Sequence, residues 1–243
     1  MRRVWIMLAL AAMIAAPASA QRFFGQRIPR PAPYDGRFTF VRLFYADYPG
    51  WSYDWPETEQ NLGRLLPEIT AITTHPAAGN IFKMDDPELL KYPIAYLSEP
   101  GYWFPSEREA LGLRTYLEKG GFLIVDDFHF DNEWRVFERA MRQVLPAARI
   151  ERLDLSHPVF NTFFKIKSLD VPYPGRLGEM GLMGEFYGIH DENHPSRRLM
   201  VVINYNMDIG DYMEWSATGL YAVDPTNEAY KFCINYLIYG LTR

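Results

Sequence analysis

Two adjacent carboxylates and an imidazole, Asp126, Asp127 and His129, close the run FLIVDDFH, with Asp131 just behind them. This is a dense group of hard ligands, and clustered carboxylate oxygens suit magnesium or calcium. Side chains alternate along a strand, however, so Asp126 and Asp127 leave on opposite faces. No Asp-x-Asp-x-Asp-Gly loop accompanies them, and one carboxylate capping the next helix or bracing a loop fits better than a metal. A second polar group, His190, Asp191, Glu192 and His194, lies in a connection ending at Pro195 and reads as a solvated turn. His75 and His157 each precede a proline and read as turn residues. Asp208 and Asp211, in NMDIGDYMEW, follow a strand; they either face the same edge as Asp126 or cap a turn.

Two aromatic loops complete the set: Trp51, Tyr53 and Trp55 in one, Tyr102, Trp103 and Phe104 in the other, the second just beyond Glu99. Aromatic faces flanked by carboxylates suit sugar rings, whose C–H faces stack while their hydroxyls hydrogen-bond, and they also suit flat protein contacts. A lid that only covers the end of a sheet would use the same residues.

The elements that carry these residues alternate. FTFVRLFYA (38–46) reads as the first strand, and a helix over 61–70 follows with Leu62, Leu65, Leu66 and Ile69 at helical spacing, shortened or bent by Pro67. YPIAYLS (92–98) is the next strand. Ser106-Glu107-Arg108-Glu109 then carries the pattern of a capping box, and Gly120 is placed as the left-handed stop of a helix reaching Lys119. FLIVDD is apolar on both faces, as a strand inside a covered parallel sheet must be, and NEWRVFERAMRQVLP after it aligns Trp134, Phe137, Met141 and Val144. Beyond Pro146 the sequence predicts a short helix at SHPVFNTFF, a Gly- and Pro-rich loop, the strands GEFYGIH and RLMVVINY, and a terminal helix over 227–241. Strand–helix alternation of this kind means an α/β fold of three layers: a mostly parallel sheet with helices on both faces, and right-handed crossovers. In such sheets ligands collect beyond the carboxyl ends of the strands, where both aromatic loops and the acids belong.

The N-terminus, MRRVWIMLALAAMIAAPASA, has a cationic start, an apolar run too short to span a bilayer, and Ala18-Ser19-Ala20 as a cleavage signal. The expected organisation is a cleaved signal peptide over 1–20, an extended proline-bearing linker over 21–37, and one α/β domain over 38–243, exported to the periplasm with no membrane span after cleavage. The chain has 25 basic and 30 acidic residues, 23 against 30 once Arg2 and Arg3 are removed. An acidic chain without a basic stripe is a poor match for a phosphate backbone, so nucleic acid is not an expected partner. The lone Cys233 leaves no internal disulfide, and a 16% aromatic content supplies the core instead.

Several runs in this order resemble a bacterial family, domain of unknown function 4159. They are the opening strand with Asn61-Leu62, YPIAYLSEPG, LRTYLEKGGFLIVDD, HPVF at His157 to Phe160, NYNMDIGDYMEW, and NYLIYGL, and together they span the chain from Phe38 to its end. The resemblance implies a flavodoxin-like layered sheet of the class I glutamine-amidotransferase-like kind, and it implies no established activity. Amidotransferases of that class need a nucleophilic cysteine on a Gly-flanked elbow. The corresponding turn here, Ser98 to Tyr102, has none, and Cys233 lies between Phe232 and Ile234 in the terminal helix, so glutamine hydrolysis by the usual cysteine route is excluded. Ser98 lacks a Gly-x-Ser-x-Gly setting.

Two functional readings follow. The first is a non-catalytic binding or scaffold domain whose nucleophile position is vacant, with Trp51, Glu99, Trp103, Asp126, Asp127, His129 and Asp208 contacting a glycan or a protein partner and no cofactor or metal expected. The second is a metal-assisted hydrolase in which Asp126, Asp127 and His129 hold an ion and a water, or Glu99 acts as general base.

Overall fold

The computed structural model describes residues 29–46, 48–76 and 79–243, so the signal and its cleavage site lie outside the described residues. The strands are β1 (Val41–Phe44), β2 (Asn80–Lys83), β3 (Ile94–Ser98), β4 (Phe122–Asp126), β5 (Glu151–Arg152), β6 (Glu185–His190) and β7 (Leu199–Tyr205). Among the described residues they form one sheet in the order β2-β1-β3-β4-β7-β6-β5. The first five in that order are parallel, while β6 runs antiparallel to β7 and β5 antiparallel to β6. The parallel part is doubly wound: the chain steps from β1 out to β2, then returns to the other side of β1 as β3, which puts a topological switch between β1 and β3.

Strand alternation sorts the core into two layers. Leu97, Leu123, Val125, Val201 and Ile203 point to one face, and Tyr96, Phe122, Ile124 and Val202 to the other. Helices α2 (Glu107–Glu118) and α3 (Phe130–Val144) cover the first face through Leu113, Leu117, Phe137, Met141 and Val144. Helices α1 (Glu57–Ile69), α5 (Ile209–Glu214) and α6 (Val223–Thr242) cover the second; the short α4 (Arg176–Glu179) lies in the Gly- and Pro-rich loop. The three-layer α/β architecture is therefore the one that the alternation of elements predicts. No helix among the described residues is long and apolar enough to cross a membrane.

Local chemistry sets the boundaries. Ser106 and Glu109 exchange the two bonds of a capping box at the start of α2, and Gly120 takes φ 109° beyond its end. Helix α1 begins four residues before the expected Asn61 and carries Pro67 in its last turn. The expected short helix near His157 is a single 3-10 turn, Pro158–Phe160, and Asn235 of α6 accepts the amides of Phe163 and Phe164, holding the following chain in a run of bends.

Candidate functional site

The rim at the carboxyl ends of β3, β4 and β7 is built from loops that are hydrogen-bonded to one another. Phe128 and Met207 pair as an antiparallel bridge between the loops after β4 and β7. The Asp127 amide donates to the Met207 carbonyl at 3.0 Å, the Asn206 amide to the Phe128 carbonyl at 2.9 Å, and the Phe130 amide to Asn206 Oδ1 at 3.1 Å. Four non-glycine residues on this rim hold left-handed backbone: Glu99 (φ 53°), Asp127 (61°), Phe130 (59°) and Asn206 (53°). Such a conformation is unfavourable for a bulky L-residue such as phenylalanine, and strain of this kind persists only where the surroundings over-determine it.

Directly beneath the rim runs a polar chain that is fully buried. Asp126 is 0% exposed and accepts four bonds: from Tyr96 Oη (2.7 Å), Asn204 Nδ2 (2.9 Å), and the amides of Ile209 (2.9 Å) and Gly210 (3.0 Å) at the start of α5. Burial pushes its carboxyl up, while those donors pull the other way. Gly210 permits the approach, since a Cβ there would lie 2.5 Å from Asp54 Oδ2 and 2.6 Å from the Tyr96 oxygen. Tyr236 in turn donates to Asn204 Oδ1 at 2.9 Å. On the other side, the Arg42 guanidinium stands 5.0 Å from the centre of the Tyr96 ring and is held by Asp54, by Glu59 (2.7 Å) and by the Trp51 carbonyl (2.9 Å).

Three residues expected to meet a ligand therefore lie in the interior. Asp126 spends its lone pairs on pinning α5 to the sheet. Trp51 is 7% exposed and packs edge-on against Phe44, and Trp103 is 0% exposed within the layer under α2 and α3. Both indoles fold back over the sheet because their loops cap its apolar end, so core packing takes the faces that a sugar would need.

The other four expected residues do come together. Asp127 accepts from Ser98 Oγ (3.4 Å) and from the Tyr173 hydroxyl (3.2 Å). Asp208 caps α5 by accepting the Asp211 amide at 2.7 Å, the cap that its place after a strand suggests. The His129 ring lies 5.2 Å from that of Tyr173, with Nδ1 3.5 Å from Glu133 Oε2. Burial pushes the Glu99 carboxyl up to about 8, with the charge of Glu133 the next cause. Burial, then neighbouring acids, pushes Asp127 and Asp208 well above the carboxylate range. This corner thus retains protons on acids near neutral pH. Among the described residues no three His, Cys, Asp or Glu side chains converge to hold a metal ion.

Beside these acids, one strand further along, opens a cleft of about 780 Å³ between the first turn of α3, the start of β6 and the end of β7. Aromatic rings form part of its lining: Trp134 lies 4.8 Å, centre to centre, from Tyr187 and from the buried Tyr205, Phe128 stacks behind Trp134, and Phe130 stands at the mouth, 51% exposed. Polar groups are interleaved. Glu185 accepts from the Tyr187 hydroxyl (2.8 Å) and from Asn206 Nδ2 (3.4 Å), and Arg135 donates to Asn132 Oδ1 (2.8 Å) and to the Asp131 carbonyl (3.1 Å). The periodicity of α3 assigns Trp134 to the core with Phe137 and Met141, and Trp134 packs against that core while staying half-buried, with one side on the cleft. Tyr187 and Tyr205 carry no local signal either; the pairing of β6 with β7 brings them to one face.

His157 is the turn residue expected, capping Pro158–Phe160 by accepting the Val159 amide at 3.2 Å, whereas His190 departs from the expected solvated turn. His157 and His190 meet with Nε2 atoms 3.1 Å apart, and His190 is buried rather than solvated. Cys233 is buried in α6, with its thiol pushed up by desolvation.

A doubly wound, three-layer α/β domain with a strained acidic rim and an aromatic cleft beside it is the class that fold and site define. Within that class, the chain belongs to the Domain of unknown function (DUF4159) family, whose sequence profile matches residues 39–241. Comparison with curated proteins gives no match.

Proposed function

We propose that this protein is an exported binding domain that holds a glycan in the cleft between α3, β6 and β7. The observation that carries the reading is the wall of Trp134, Tyr187 and Phe130 above a floor closed by the buried Tyr205, interleaved with carboxylates and amides on a rim whose loops are hydrogen-bonded in place. Sugars present an apolar C–H face and a belt of hydroxyls, so a site for them needs flat aromatic surface and fixed polar atoms together. Rigid loops lower the ordering cost of binding, which matters for a ligand whose individual contacts are weak. The N-terminal apolar run with its small-residue cleavage motif supports export. The vacant nucleophile position supports binding over acyl transfer: Ser98 is buried against Asp127, and Cys233 is enclosed in α6. Glu99, Asp127, His129 and Asp208 then serve as the frame that fixes the rim.

The test is a calorimetric titration of the mature chain with soluble oligosaccharides of glucose, N-acetylglucosamine and glucosamine, with tryptophan emission followed in parallel. Dissociation constants on the order of 0.1–1 mM are expected for the best of them, or about 4–5.5 kcal/mol. Phe130→Ala and Tyr187→Ala should each weaken binding at least tenfold with unchanged far-ultraviolet circular dichroism. Absence of any heat or emission change with all three series would remove the glycan reading.

A further inference from the structure

The charges in the cleft are unbalanced in a way that neutral sugars do not require. Asp131 and Glu185 line it, and Arg135 is the lining cation, with its guanidinium drawn onto Asn132 and the Asp131 carbonyl along the flank of α3. Asp131 and Glu133 have an ordinary explanation, since acids in the first turn complement the helix dipole. Glu185 belongs to β6, not to α3: the Tyr187 hydroxyl and Asn206 orient it, and its ion pair with Arg152 is long, at 3.7 Å, with the arginine largely solvated. Asp131 and Glu185 line the same cleft, over the Tyr205 floor, and after burial their charges are the next causes that push the Tyr205 phenol up. Aromatic faces within reach of carboxylates are the setting in which organic ammonium groups bind, through charge and through the ring quadrupole.

We infer that the preferred ligand is a glycan bearing free amines, an amino sugar in its deacetylated, protonated form, with the ammonium between Glu185 and the Trp134–Tyr187 faces. This rests on the glycan reading above and narrows it to a substrate class. An N-acetyl group in the same place would bring a neutral amide to Glu185 and forgo both the charge pairing and the cation–π contact.

The experiment compares glucosamine tetramer with N-acetylglucosamine tetramer by calorimetry, at a pH where the amines are protonated, for the native chain, Glu185→Gln and Asp131→Asn. The native chain should bind the deacetylated tetramer at least tenfold more tightly, and 0.5 M salt should erase most of that advantage because a rim-exposed pair is screened. Glu185→Gln should bring the two ligands within about twofold of each other. Asp131→Asn, at an exposed position where folding is not at stake, should reduce the preference by a smaller factor in the same direction. Equal affinity of the native chain for both tetramers, or a preference that Glu185→Gln and Asp131→Asn leave intact, would overturn the inference while leaving a glycan site standing. Failure of every oligosaccharide to bind would overturn the underlying reading along with it.

Discussion

Asp126 and Asp127 are neighbours in sequence and belong to two regions with opposite energetics. Asp126 faces inward, joins the chain that runs from Arg42 through Tyr96 to Asn204 and Tyr236, and accepts three donors on Oδ2 and one on Oδ1. Asp127 faces the rim with left-handed backbone and two long hydrogen bonds, among acids that push its carboxyl up. In the first region several partners partly offset the cost of burying charge, although burial still pushes Asp126 and Glu59 up to about 7, and removing one member strands the rest. In the second few donors face the acids, and retained protons, not partners, relieve their repulsion. Left-handed strain persists where the surroundings hold it, and that is why we place the proposed function at the rim and not in the denser polar interior.

The largest effect should come from breaking the interior. Arg42→Met leaves Asp54 and Glu59 buried without their cation and should cost about 3–5 kcal/mol, read as a fall in the urea midpoint. Next comes the direct contrast within the pair: Asp126→Asn should cost about 2–3 kcal/mol by presenting an amide to donors, while Asp127→Asn should stay within about 1 kcal/mol of the native chain or gain stability. Equal losses at the two positions would abolish the distinction between the regions.

The pH dependence sharpens it further. Glu99 has a folded-state value of about 8 against an ordinary 4.5, so the folded chain holds a proton there that the unfolded chain releases. Stability from this group is complete below about pH 4.5 and declines as pH rises through 8. Glu99→Gln should remove that slope and raise stability at pH 8 by on the order of 1–3 kcal/mol, measured by urea unfolding across the range. The smallest effect is expected at Phe130→Gly: relief of the left-handed strain should add on the order of 0.5–1 kcal/mol while glycan binding falls, a trade of stability for function at one residue.

The sequence makes parts of this molecule legible and hides others for physical reasons. Strands β3, β4 and β7 are apolar on both faces, and α2 carries its own cap and stop, so local pattern suffices for them. The four residues of β2, NIFK, are too few to alternate visibly and become a strand by pairing with β1. Alternation along β4 already separates Asp126 from Asp127, but it does not say which of the two has partners. Helical spacing puts Trp134 in line with Phe137 and Met141 and is blind to where the sheet ends. Trp51 and Trp103 stand in loops beside the rim in sequence and fold back into the core, a choice made by the volume left at the sheet's end. The His157–His190 pair joins residues 33 positions apart, beyond any local signal.

Backbone amide NMR of the mature chain during titration with glucosamine tetramer tests the location of the site most directly. The expected result is chemical-shift change concentrated at residues 130–135, 185–187 and 205–206, with the amides of Tyr96, Asp126 and Tyr236 unmoved. Changes centred instead on the second groove, between α1 and α6 around Asn61, Tyr221 and Tyr230, would contradict the assignment of the ligand site to the rim.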